Sequence, residues 1–238
     1  MSIAENIADI RARIDAAARA AGRAPSEVQL LGASKMNDAA ACREAIAAGI
    51  DCLGENRVQE MLGKLEENAY EGAPLHFIGV LQKNKVRQIV GKVDLIHSVD
   101  SLGLLDEIDK RAASAGIVQK ILLEVNVGGE ESKSGFAPHE VVDTVKTVLA
   151  RAESHVTIAG LMAIPPVSTG IGANAPYFEE MHDLFVDITP LLLHNNDILT
   201  LSMGMSGDFE DAIAAGSTLV RVGTAIFGTR HYGAIPTT

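Results

Sequence analysis

Short apolar runs alternate with longer amphipathic stretches along almost the whole chain. Eight runs read as strands, near residues 29–35, 51–56, 75–80, 95–99, 120–127, 156–163, 198–203 and 219–224. Between them, Asn37–Ala48, Arg57–Ala69, Asn84–Lys92, Ser101–Ala115, Pro138–Arg151, Tyr177–Leu193 and Gly207–Ala215 show the 3.6-residue apolar spacing of helices packed on one face. Strict alternation of strand and helix implies a parallel sheet covered by helices. Eight such units at about 250 residues imply a closed (β/α)8 barrel rather than an open doubly wound sheet. The open sheet would carry G-x-G-x-x-G after its first strand, and Leu30-Leu-Gly-Ala-Ser-Lys35 does not. The expected fold is therefore α/β, a single TIM barrel over 29–228 preceded by an N-terminal helix over 1–25, with 1–238 forming one domain.

Composition narrows the function classes. The chain has 238 residues, 47% of them apolar, and a formal charge of −11, which opposes a broad nucleic-acid or anionic-membrane surface. Two cysteines, Cys42 and Cys52, are too few for a disulfide framework or a zinc knuckle. The seven histidines show no H-E-x-x-H spacing, so no metal site is expected. The N-terminus interleaves charges with apolar residues and lacks the basic head and apolar core of a signal peptide. No run approaches the roughly 18 apolar residues of a membrane span. A cytoplasmic protein is expected.

Polar residues collect at the carboxyl ends of the expected strands: Lys35, Asn56, His97 or Ser98, Asn126, Ser202 and Arg221, with Met162 beside them. In a barrel that is the face where loops build sites. Two loops there are unusual, Gly128–Phe136 and Pro165–Pro176. Lys35 shares a strand face with Leu31 and Ala33. An amine partly withdrawn from water is nucleophilic enough to form a Schiff base with an aldehyde, whereas Lys85 and Lys133 sit in solvated loop or helix-start contexts. Arg221 lies inside the last strand and needs a permanent partner. A cofactor ring nitrogen and a buried ion pair with Glu124 are the two alternatives. Ser206, Gly223 and Thr224 follow strands seven and eight, the common phosphate site of this fold, although Ser and Gly at strand ends also serve plain turns. Asn56 either bonds a phenolic oxygen or caps the helix after it.

The segments Gly54-Glu-Asn-Arg-Val-Gln-Glu60, His76–Lys85, Ile96-His-Ser-Val-Asp100, Gly129–Phe136, Gly160-Leu-Met-Ala-Ile164 and Leu201-Ser-Met-Gly-Met-Ser206, in this order, resemble the pyridoxal phosphate homeostasis protein family. Val80 departs from the pattern, since many members carry His there. The resemblance implies a barrel like the N-terminal domain of alanine racemase with pyridoxal 5′-phosphate (PLP) held as a Schiff base on Lys35. It also implies phosphate contacts from Ser206, Gly223 and Thr224, a ring-nitrogen contact from Arg221, and pocket-lining roles for Asn56, Met162 and Ser202. Members of the family buffer or carry the cofactor without established turnover, so no catalytic residue is expected. Racemisation would need a second acid/base group, which alanine racemase draws from a further domain, a Tyr of the partner subunit; the chain stops shortly after strand eight, and of Tyr70, Tyr177 and Tyr232 only Tyr177 has any claim to that role. The expected partners are PLP and PLP-dependent apoenzymes as transient recipients, with the protein itself a monomer. An α-carbon enzyme such as a weak amino-acid racemase is the alternative, and a Schiff-base enzyme for a phosphorylated sugar is the third reading.

Overall fold

The computed structural model describes residues 2–130, 133–167, 170, 172–192 and 199–228. Eight parallel strands close into a barrel in chain order: β1 Gln29–Ala33, β2 Cys52–Glu55, β3 Leu75–Phe77, β4 Leu95–Val99, β5 Gln119–Val125, β6 Val156–Ala163, β7 Thr200–Ser202 and β8 Leu219–Val222. The closing pair is β1 with β8, in register from Gln29 opposite Leu219 to Gly32 opposite Val222. Closure removes every sheet edge, and side chains alternate between the lumen and a surrounding layer of helices.

The covering helices are α2 Ala39–Ala47, α3 Val58–Glu66, α4 Leu102–Ala115, α5 Val141–Leu149, α6 Ala175–Leu192, α7 Phe209–Ala214 and α8 Thr224–Phe227. The segment expected as a helix over Asn84–Lys92 is instead a 3-10 helix, Lys83–Gln88. Its bonds run Lys85 N–H to Gln82 O (2.9 Å) and Ile89 N–H to Val86 O (3.0 Å), and Gly91 at φ 77° turns the chain away before an α-helical turn can propagate.

The N-terminal helix α1 spans Ile3–Ala20, shorter than the expected 1–25, and a 3-10 turn at Pro25–Glu27 leads into β1. A reciprocal capping box between Ser2 and Glu5 starts it. Its buried stripe Ile7, Ile10, Ile14 and Ala18 packs on α2, α7 and α8. Asn6 donates to Ile226 O (2.8 Å), and the Arg13 guanidinium pairs with Glu210 and lies 4.6 Å over the Phe209 ring. Burying these three isoleucines stabilises the docking by roughly 1.5–3 kcal/mol each relative to exposure.

Inside the barrel two small apolar clusters form. Leu31, Cys52, Ile78 and Leu219 make one, with Ala33 against it. Leu95, Leu122 and Met162 make the other, with Ala159 against it. The alternation slips twice. Ile96 and Val99 both pack outward although three positions apart, and the register between β4 and β5 shifts between them. A matching shift occurs where Gly160, at φ 137°, lies so close to β7 that an added Cβ would sit 2.0 Å from Thr200 O. Such bulges re-aim side chains.

Candidate functional site

The mouth of the barrel, at the carboxyl ends of the strands, gathers most of the residues singled out from the sequence. β1 ends at Ala33 and Ser34 makes the last bond to β2, Ser34 N–H to Gly54 O at 3.0 Å. Lys35 therefore stands on a turn just beyond the strand and is half-buried. Met36, the next residue, adopts φ 65°, a left-handed conformation that a side chain bearing a Cβ rarely takes.

A buried charged cluster holds that turn on both sides of Lys35. The Ser34 hydroxyl donates to Glu55 Oε1 (2.6 Å), and Met36 N–H donates to Glu60. Lys64 Nζ donates to Glu55 Oε1 (2.7 Å), Glu60 Oε1 (2.8 Å) and Ser34 O (2.9 Å), while Tyr70 donates to Glu55 Oε1 at 3.0 Å. Glu55 is fully buried, and burial followed by the Glu55 charge and hydrogen bond pushes the Tyr70 hydroxyl far up from its ordinary range. Losing one partner here would strand a buried charge, which makes the cluster rigid.

Asn56 follows β2. Helix α3 begins at Val58 with Arg57 in the cap position, so Asn56 caps nothing, and its buried Oδ1 has no hydrogen-bond partner among the described residues. An added Cβ at Gly79 would lie 2.1 Å from Asn56 O, so the β3 loop can pass only as glycine. Val80, next along, is 72% exposed. The Gly128–Phe136 loop returns to the barrel: Phe136 N–H bonds Glu124 O (2.8 Å) and Lys133 Nζ reaches Pro165 O (3.3 Å); residues 131 and 132 lie outside the described residues.

Ser206 is half-buried in the turn between β7 and α7, where Met205 N–H donates to Asp208 Oδ1 at 2.7 Å. That turn is tied to the last strand by Arg221 N–H to Gly204 O at 3.0 Å. Gly223 caps α8 and approaches β1, since a Cβ on it would sit 3.3 Å from Ala33 O; Thr224 opens α8 and is exposed. Met162 is buried in the lumen floor.

Arg221 is buried among neutral acceptors. Nη1 donates to Ser202 O (2.8 Å) and Ser202 Oγ (2.6 Å), and Nη2 donates to Ala163 O (2.9 Å). Among the described residues no carboxylate lies within 4.0 Å of it, so the alternative of a close ion pair with Glu124 is not formed. Desolvation lowers the guanidinium to about 10 against the opposing pull of Glu124 and Asp208. Glu124 is pushed up to about 6, first by burial and then by the Asp100 charge.

Two histidines extend this arrangement across the lumen. His97 Nδ1 lies 3.0 Å from Ser202 Oγ, and its Nε2 lies 3.0 Å from His76 Nδ1. His97 stands, with Ser98 as the alternative, in the polar group expected at the strand ends, whereas His76 lies near a strand start and outside that group; both point into the lumen. The signal is present in Leu95-Ile-His97, whose alternation puts His97 on the face of Leu95.

The chain is thus a (β/α)8 barrel protein of the α/β class, with a half-buried lysine just beyond β1 and a buried arginine on β8. The family model described as alanine racemase, N-terminal domain, matches residues 3–231. The chain is 44% identical over 233 residues to a pyridoxal phosphate homeostasis protein of Pseudomonas aeruginosa, covering 98% of each chain. It is 43% identical to that of Aquifex aeolicus over 232 residues, 98% of this chain and 100% of the relative. Among solved structures, PipY of Synechococcus elongatus with PLP bound superposes with a TM-score of 0.79 at 34% identity, covering 95% of this chain and 100% of that one. The chain belongs to the pyridoxal phosphate homeostasis protein family.

Proposed function

We propose that this chain binds PLP at the barrel mouth, joined to the Lys35 amine as a Schiff base, and acts in cofactor buffering and delivery to PLP-dependent apoenzymes without catalytic turnover. The observation that carries the reading is Arg221: a buried guanidinium held by neutral oxygens, whose Nε–H and second Nη2–H have no protein acceptor among the described residues. Those hydrogens suit the ring nitrogen of PLP. The unpartnered Asn56 Oδ1 marks a second unspent polar group at the same mouth.

PLP supplies an aldehyde that condenses reversibly with amines. Lys35 would provide the amine, Arg221 would keep the ring nitrogen unprotonated, and Ser206, Gly223 and Thr224 would hold the phosphate. An unprotonated ring is a poor electron sink, which favours storage over α-carbon chemistry. Two of the three tyrosines also support a carrier. Tyr70 is committed to Glu55, and Tyr177 packs against the core between barrel and helices. Tyr232 lies outside the described residues.

The test is absorption spectroscopy before and after borohydride reduction, with peptide mapping and an amino-acid turnover assay on the same sample. A visible band, an adduct on Lys35, loss of the band in Lys35→Ala and no turnover are expected. Measurable racemisation would replace the carrier reading by the enzyme reading. An unchanged band in Lys35→Ala would remove Lys35 from its role.

A further inference from the structure

The chain His76–His97–Ser202–Arg221 crosses the barrel lumen from β3 and β4 to β7 and β8, and its hydrogens can be assigned. His97 and Ser202 are fully buried, Arg221 is 5% exposed and His76 is 7% exposed. A guanidinium only donates, so Ser202 Oγ accepts from Arg221. The Ser202 hydroxyl then has its own hydrogen to place, and among the described residues its remaining neighbour is His97 Nδ1 at 3.0 Å. If that nitrogen carried a hydrogen, the hydroxyl hydrogen would have no acceptor in a fully buried site, at a cost of roughly 1–3 kcal/mol. So Ser202 donates to His97 Nδ1, and His97 Nε2–H donates to His76 Nδ1, leaving the hydrogen of His76 on Nε2. Both rings are neutral in this arrangement, and the direction of donation is the same at every link after Arg221.

We propose that His97 is a positioning residue for Arg221: by accepting the Ser202 hydroxyl hydrogen it turns the serine lone pair onto Nη1, which fixes the guanidinium edge left over for a ligand. The inference rests on the reading of Arg221 as the ring-nitrogen contact and adds the device that aims it. The β4 bulge between Ile96 and Val99 belongs to the same device, because it keeps His97 inward while Val99 returns to the helix layer. Without the acceptor the hydroxyl hydrogen has no fixed place in a buried site, the serine rotor is no longer held with its lone pair on Nη1, and the planar fork loses one of the contacts that set its tilt.

The experiment loads wild type, His97→Leu, His97→Asn, Ser202→Ala and Arg221→Leu with PLP labelled by 15N in the ring, then records the ring-nitrogen chemical shift and the rate of PLP dissociation. The asparagine variant keeps an amide oxygen near the position of Nδ1, whereas leucine removes the acceptor. For His97→Leu, the shift should move toward that of a protonated pyridine and dissociation should quicken about 10-fold or more, the scale of one lost charge-assisted hydrogen bond. His97→Asn should stay near wild type in the shift. A folded His97→Leu with wild-type shift and dissociation rate overturns the positioning role, provided Arg221→Leu changes both. If Arg221→Leu also leaves them unchanged, the ring-nitrogen reading itself falls. Should His97→Leu not fold, Ser202→Ala is the smaller deletion of the same link and must show the same displaced shift; a wild-type shift there overturns the proposal.

Discussion

Protonation of the lumen histidines should set much of the acid sensitivity of this barrel, and His76→Gln isolates the effect. His76 is nine-tenths buried, and desolvation lowers it from 6.5 to about 4, with Asp94 recovering only part of the loss. The unfolded chain takes up this proton as pH falls through 6.5, whereas the folded chain refuses it until about 4. The contribution is therefore fully present above 6.5 and is lost as pH falls from 6.5 toward 4. Linkage puts the loss at about 2 kcal/mol by pH 5 and about 3 kcal/mol by pH 4. Glutamine retains an acceptor for His97 Nε2–H without titrating, and His97 itself stays in both proteins, so its own contribution largely cancels in the difference. Urea unfolding of the protein without ligand at pH 7, 5 and 4 reads the result. Wild type should lose about 2 kcal/mol relative to His76→Gln between pH 7 and 5. A difference between the two that is constant across this range would refute the reasoning.

Three further substitutions test other parts of the structure. Glu124 holds its proton up to about 6 instead of 4.5, so its contribution to stability falls as pH rises through that window; Glu124→Gln should gain about 2 kcal/mol at pH 7 and almost nothing at pH 4, read by thermal melts at the two pH values. Gly160→Ala forces a Cβ against Thr200 O at φ 137° and should cost about 3 kcal/mol or more in urea midpoint analysis, whereas Gly63→Ala, in open space within α3, should be neutral or stabilising by up to about 1 kcal/mol.

The barrel was legible because each of the eight strands is an apolar run with its own period, and closure follows from their number. The ends were less legible. Lys35 reads as the end of β1 because Leu31, Ala33 and Lys35 alternate, yet pairing stops at Ser34 and the turn is set by bonds to Glu55 and Glu60, far along the chain. Asn56 reads as a cap because its residue type is right, but the helix starts one residue later. Apolar spacing at Val86, Ile89 and Val90 suits a helix of any pitch, so the 3-10 geometry of Lys83–Gln88 was not visible. Ser202, Arg221 and His97, as one of two alternatives with Ser98, are legible as polar strand-end residues, whereas the link from His97 to His76 joins side chains of two different strands and no period along either strand shows it.

The brace around Lys35 has an entropic consequence. A lysine on a loose loop must freeze several backbone torsions whenever its amine is captured, at roughly 1–2 kcal/mol per residue ordered. Here Ser34 and Met36 are already fixed by Glu55, Glu60 and Lys64, so any partner of Lys35 meets a main chain that has little freedom left to lose. On the proposed Schiff-base reading, preorganisation of this kind would let the Lys35 amine capture a scarce aldehyde with little further ordering of the protein.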